Sequence, residues 1–141
     1  MKVSTSSSAY KNPNEINKRP KLALDVAFKT ISSGIKLYIE RAGHGKKSTE
    51  GSNIKVHYEG WLASDFKMFD SSRIKRSPFE FNLGKGSVIE GWDIALKDVR
   101  QGTKMQIKIP SRLAYGNQGV ASMGIPPNAD LIFKVEVLKV S

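Results

Sequence analysis

Apolar and polar residues alternate with a period of two in four stretches of this 141-residue chain: Ile35, Leu37, Ile39; Ile54, Val56, Tyr58; Phe79, Phe81, Leu83; and Met105, Ile107, Ile109. That alternation predicts strands with one face on a core and one in water. A fifth strand is predicted from Leu131 to Val140, where Leu131, Phe133, Val135 and Val137 share a side before Leu138 and Val140 change phase, as at a bulge or a frayed end. Pro110 cannot continue a central ladder and should close the fourth strand. The period turns helical after Gly91: Trp92, Ala95, Leu96 and Val99 fall at i, i+3, i+4 and i+7. The helix is expected to end near Gly102 as a left-handed cap, with Glu90 at its start and Lys97 and Arg100 near its end suiting the macrodipole. A helix of roughly ten residues is marginal alone, so it must lie against the sheet. The expectation is therefore α+β, a five-stranded antiparallel sheet with one short helix across its inner face. So short a helix cannot cover five strands, which leaves part of the apolar face as a cleft.

The rest of the chain divides by composition. Residues 1–21 are rich in Ser, Lys and Asn, have almost nothing to bury, and read as a flexible basic arm. Residues 22–33 are a lead-in, of which Leu22 to Phe28 reads equally as an edge strand or a helical turn. Residues 34–141 form the folded domain. Between Ser111 and Asp130 a long connection carries Gly116, Gly119, Gly124 and Pro126-Pro127, a length usually associated with function or disorder. Leu113, Tyr115, Val120, Met123 and Ile125 within it argue against disorder.

Charge and composition narrow the chemistry. The formal net charge is +10, and the arm supplies part of it through Lys2, Lys11, Lys18, Arg19 and Lys21 against Glu15. Such a balance favours acidic partners. Nucleic acid is not expected among them, because no element concentrates Lys and Arg beside exposed aromatics. There is no cysteine, which excludes disulfides and thiolate chemistry, and two histidines make a poor zinc site. No apolar run reaches the roughly 18 residues of a membrane span, and the first residues lack a signal-like apolar stretch, so a cytoplasmic protein without membrane contact is expected.

Familiar catalytic motifs fail. Gly86-Ser87-Val88-Ile89-Glu90-Gly91 has the glycine spacing of a phosphate loop, but Trp92-Asp93 follows where Lys and Ser or Thr are required. A dinucleotide fingerprint would need a third glycine at Ile89. His57 reads as a polar-face strand residue making local hydrogen bonds. What stands out is the spread of aromatics over every predicted element: Tyr58, Phe69, Phe79, Phe81, Trp92, Tyr115 and Phe133. They suit either an ordinary core or an aromatic-walled pocket.

The motifs Val56-His57-Tyr58-Glu59-Gly60, Phe69-Asp70-Ser71-Ser72, Val88-Ile89-Glu90-Gly91-Trp92, Ala114-Tyr115-Gly116 and Ile125-Pro126-Pro127-Asn128-Ala129 occur in the order found in FKBP-type peptidyl-prolyl cis-trans isomerases, which residues 34–141 closely resemble. The resemblance implies a half-barrel sheet wrapped round one short helix, and an enzyme that accelerates X-Pro rotation during protein folding without a cofactor or metal. The alternative is a non-catalytic module that binds proline peptides on the same scaffold. By resemblance Trp92 is a pocket floor; Tyr58, Phe69, Phe81, Val88, Ile89 and Phe133 are walls; Tyr115 and Ile125 come from the overhanging loop; and Phe79 lines the rim. Asp70, Tyr115 and the Ile89 N–H are implied polar contacts, and Tyr58, Asp70, Trp92 and Tyr115 the catalytic set. Implied partners are proline-containing peptides, unfolded proteins and the macrolides tacrolimus and rapamycin, met by a monomer. Lys75 stands where well-known members carry arginine, the turn Ser64 to Met68 is a residue longer, and Val120 to Gly124 varies from the familiar loop.

Overall fold

The computed structural model describes residues 20–141. The arm expected over 1–21 therefore lies outside the described residues except for Pro20 and Lys21. The described residues form one antiparallel sheet of seven strands: β1 (Lys29–Thr30), β2 (Lys36–Arg41), β3 (Asn53–Leu62), β4 (Met68–Ser71), β5 (Phe79–Asn82), β6 (Lys104–Ile109) and β7 (Leu131–Val140). The strands run in the order β1-β2-β6-β7-β3-β4, with β5 also on β3. Two short helices, α1 (Ser72–Lys75) and α2 (Glu90–Ala95), complete the fold.

Ten-residue β3 is the organising strand. Along one side it pairs with β7 over its whole length. Along the other its first half meets β5 and its second half meets β4. The phase change anticipated after Val137 is real: Lys55 faces Lys139 while Val56 faces Val137, so Leu138 is an extra residue in β7. Ile109 ends β6 just before Pro110, as expected.

The sheet has two strands more than the period-two pattern predicts. β4 is buried at every position and shows no alternation, and β1 has only two residues. The undecided lead-in contains both alternatives in part, a single 3-10 turn over Asp25–Ala27 followed by β1. It is pinned to the outer face of the sheet by the Ala23 N–H donating to Gln106 Oε1, an Asp25–Lys108 ion pair, and Phe28 packed on Tyr38 beneath the Lys108 ammonium. β2 also departs from expectation. Ile35 is fully buried, but Leu37 is half-buried and Ile39 is 45% exposed. The register breaks between Ile39 and Arg41 at this margin of the sheet, so the alternation outlives the core it implies.

The helix α2 has six residues and not ten. It buries Gly91, Trp92 and Ala95 against the sheet, and the chain then leaves it through Leu96 while keeping Leu96 and Val99 in the core. The left-handed residue after it is Asp98 (φ 62), and Gly102 instead serves the turn into β6, its N–H donating to Val137 O. Buried Ser48 holds this exit: its hydroxyl donates to Leu96 O and accepts from the Val99 N–H. Gly91 permits the close approach of helix to sheet, since a Cβ there would lie 2.5 Å from Ile109 Cγ2.

Candidate functional site

The site is assembled where α2 crosses the concave face. The turn Gly84-Lys85-Gly86 leads into α2, and both glycines have positive φ. Asp93, one turn into the helix, accepts from the N–H groups of Gly84 and Gly86 at 2.8 and 3.2 Å. That local loop closure fixes Val88 and Ile89 ahead of Trp92. Ile89 O accepts from Trp92 N, whereas its own N–H donates to no described residue.

Five aromatic rings meet at Trp92 or one step away. Tyr58 stands edge-on to the indole at 5.2 Å and Phe133 at 5.4 Å, while Phe81 and Phe79 lie at 5.7 and 6.2 Å. Phe69 joins through Phe133 at 5.6 Å. Edge-to-face pairs of this kind contribute beyond their burial. Val88, Ile89 and Ile125 belong to the same cluster, and Phe79 and Tyr115 pack on it partly exposed. Tyr58, Phe69, Phe79, Phe81, Val88, Ile89, Tyr115, Ile125 and Phe133 thus share one apolar cluster with Trp92. Trp92 has 0% exposure, and Phe79 packs against both Tyr58 and Phe81 beside it. The Trp92 Nε1–H has no hydrogen-bond partner among the described residues.

The loop from Ser111 to Asp130 is compact. Asn128 N–H donates to Gly116 O, Val120 and Ile125 exchange two backbone hydrogen bonds, and Ser111 N–H donates to the Asp130 carboxylate. Gly119 is required there, having φ 62 and room for no Cβ within 2.4 Å of Ile125 O. These ties hold Tyr115 and Ile125 over the aromatic cluster.

The polar end of the site depends on an interruption of the sheet edge. Between β4 and β5 the chain leaves β3, and Tyr58 loses a strand neighbour on that side. Ser72 substitutes: its Oγ accepts from the Tyr58 N–H at 2.7 Å and donates toward Tyr58 O at 3.3 Å. Ser71 caps α1 by accepting from the Ile74 N–H. The motif Phe69-Asp70-Ser71-Ser72 contains this pair, but the sequence alone assigns the two serines no role. Asp70, wholly buried, accepts from Tyr58 OH at 2.6 Å and from the Ser71 N–H at 2.9 Å. Lys75 completes the set at 3.0 Å from Asp70 and 3.4 Å from Tyr58 OH. The lysine found in place of arginine therefore does support the aspartate, as a single point contact and not a planar fork. The longer turn before β4 is taken up locally: Phe66 adopts φ 60, and Phe69 is an extra residue between Gly60↔Asp70 and Trp61↔Met68.

Ionisation follows from this packing. Burial alone would lower the Lys75 pKa, but the hydrogen bond to Asp70 and the attraction of Tyr58 and Asp70 outweigh it, so the ammonium is held charged. Burial raises the Tyr58 pKa, partly offset by Lys75. Burial, then the charges of Asp70 and Tyr58, push Tyr115 higher still. Both phenols remain protonated donors at neutral pH. On the outer face His57 Nδ1 lies 2.8 Å from Ser72 Oγ, in agreement with its reading as a locally bonded strand residue.

The His57 pKa is lowered from 6.5, first by burial and then by Arg73, with Glu136 opposing. An unfolded chain binds this proton more readily than the folded one, so His57 costs no stability above pH 6.5 and reduces it as pH falls through the folded value. The thermal midpoint of the parent should therefore drop more between pH 7 and pH 5.5 than that of His57→Gln. Parallel pH profiles in a calorimeter would contradict this.

The chain resembles known proteins over most of the described region. A family model described as FKBP-type peptidyl-prolyl cis-trans isomerase matches residues 44–138. An FK506-binding protein of Neisseria meningitidis serogroup A is 47% identical over 98 residues, which span 70% of this chain and 88% of that one. The peptidyl-prolyl cis-trans isomerase FPR2 of Saccharomyces cerevisiae is 47% identical over 94 residues, 67% of this chain and 69% of that one. Among solved structures, FkpA from Escherichia coli matches with a TM-score of 0.74 and 40% identity over 82% of this chain, which spans about half of FkpA at 52%.

Proposed function

The chain belongs to the FKBP-type peptidyl-prolyl cis-trans isomerase family and is a peptidyl-prolyl isomerase, and from that premise we propose that it receives the substrate proline beside Trp92, within the aromatic cluster. The observation that carries this reading is the convergence of Tyr58, Phe79, Phe81 and Phe133 on one indole next to an Ile89 N–H that donates to no described residue. Rotation about an X-Pro bond is opposed by roughly 18–20 kcal/mol of amide resonance and takes tens to hundreds of seconds unaided. The planar amide is the more polar state, so an apolar enclosure disfavours it relative to the twisted state, which has lost resonance. No nucleophile is required. The Ile89 N–H receives a substrate carbonyl, and Asp70, held by Tyr58 and Lys75, orders the polar end of the site beneath Tyr115. Phe79 and Tyr115 border the entry, since they are the partly exposed aromatics of the site.

The same enclosure would take tacrolimus or rapamycin, an extension supported by family membership. In a protease-coupled assay the protein should accelerate cis-to-trans conversion of a Leu-Pro peptide, and tacrolimus should inhibit it. In a Trp61→Phe variant, binding should also change the remaining Trp92 fluorescence, because Trp61 lies outside the cluster, between Met68 and Ile132 in register on the outer face. Acceleration with no inhibition and no fluorescence change at saturating macrolide would remove the macrolide reading and keep the enzyme. Peptide binding without acceleration would favour the non-catalytic module.

A further inference from the structure

The interruption between β4 and β5 is basic as well as structural. Arg73, Lys75 and Arg76 are exposed there, against Glu80 as the nearest following acid. Arg73 pairs with Glu136, Lys75 with Asp70, and Glu80 with Lys55. Arg76 is different. Its guanidinium forms no hydrogen bond or ion pair with any described residue, and its backbone sits in the left-handed region at φ 58, ψ 35, closing α1 with its N–H donating to Arg73 O and Ser72 O. Glycine and asparagine suit that position, and a residue with a long side chain is strained there by roughly 1–2 kcal/mol. An unpaired arginine is thus kept where the backbone favours something smaller.

Beside Arg76 lies a cleft of about 150 Å³ lined by Tyr58, Ser72, Lys75, Ser77, Pro78 and Phe79. Tyr58 and Phe79 are also walls of the aromatic cluster, so the cleft and the site share two side chains. Within this lining Lys75 and Ser77 supply donors that suit an anion. The Lys75 ammonium carries three N–H donors, of which Asp70 and Tyr58 OH engage two, and its side chain is 33% exposed. Ser77, exposed, adds a hydroxyl that bonds to no described residue. Arg76 stands in sequence between two lining residues, Lys75 and Ser77.

We propose that this cleft is a specificity subsite for an acidic side chain flanking the substrate proline, carboxylate or phosphate, drawn in by Arg76 and met by Lys75 and Ser77. The inference rests on the isomerase reading, and it adds a substrate class. The recognition is electrostatic, so it acts mainly on capture and weakens with salt.

The test varies one residue on either side of proline, as Leu, Lys, Glu or phosphoserine, and measures kcat/KM by exchange NMR at low and high salt. The parent should favour Glu and phosphoserine over Lys by about fivefold at low salt, on the scale of an exposed charge contact. Arg76→Asn removes the charge and suits the left-handed backbone, so it should fold at least as stably, lose that preference and keep the parent rate on Leu peptides. Arg76→Lys should restore most of it. A greater gain for phosphoserine than for Glu identifies phosphate as the preferred anion, and equal gains identify charge alone. Equal parent rates on Glu and Lys peptides, or a loss in Arg76→Asn that is uniform across all peptides, would overturn the subsite while leaving the isomerase reading intact. No acceleration of any peptide would remove both.

Discussion

Trp92→Ala should lower the unfolding free energy by about 3–5 kcal/mol, the range for deleting a large aromatic from a packed core. The indole is fully buried and meets Tyr58, Phe79, Phe81 and Phe133, so its removal strips contacts from four rings at once. A loss of that size is a large fraction of a typical domain's total of about 5–15 kcal/mol. Trp92→Phe should behave quite differently. It keeps a ring in place and discards the Nε1–H, which has no partner among the described residues and whose burial costs about 1–3 kcal/mol. That gain offsets part of the lost volume, so the phenylalanine variant should fall within about 1.5 kcal/mol of the parent. Urea unfolding monitored by far-ultraviolet dichroism would measure both. Equal losses for Ala and Phe would mean that the ring contacts are not what stabilises this position.

The same residue shows what was legible in the chain and what was not. The helical spacing of Trp92, Ala95, Leu96 and Val99 correctly identifies a buried face, but it overstates the helix, because Leu96 and Val99 reach the core from an irregular turn that Ser48 ties down from 48 residues away. Side-chain periodicity reports burial, and burial does not require continuous helical hydrogen bonds. Ile39 is the converse case, a strand residue with the right period on a margin that the described residues leave 45% exposed. β4 was invisible for a third reason: its polar residues Asp70 and Ser71 are buried beside Met68 and Phe69, so the run is apolar-apolar-polar-polar and does not alternate. The site residues were gathered by a resemblance of motifs in order. The spread of aromatics alone left core and pocket undivided, and the closed packing around Trp92 explains why, since here the walls of the site are also the core.

Lys75→Met should destabilise the protein more than Asp70→Asn, although the two changes break the same ion pair. Asp70 is fully buried on a short side chain and has no route to water when its cation is lost. The methionine variant removes the cation 3.0 Å from that carboxylate and keeps its Tyr58 OH and Ser71 N–H donors, for an expected loss of about 3 kcal/mol, the lower end for a broken buried pair. Lys75, by contrast, is one-third exposed on a flexible stem. When Asp70 becomes asparagine, the ammonium can turn to solvent and the amide oxygen still accepts from Tyr58 OH, so about 1 kcal/mol is expected, the worth of an ordinary hydrogen bond. Chemical denaturation of the parent, both single variants and the double variant gives the coupling directly. A deficit in Lys75→Met that is no larger than that of Asp70→Asn would show that Asp70 does not depend on the lysine for its charge.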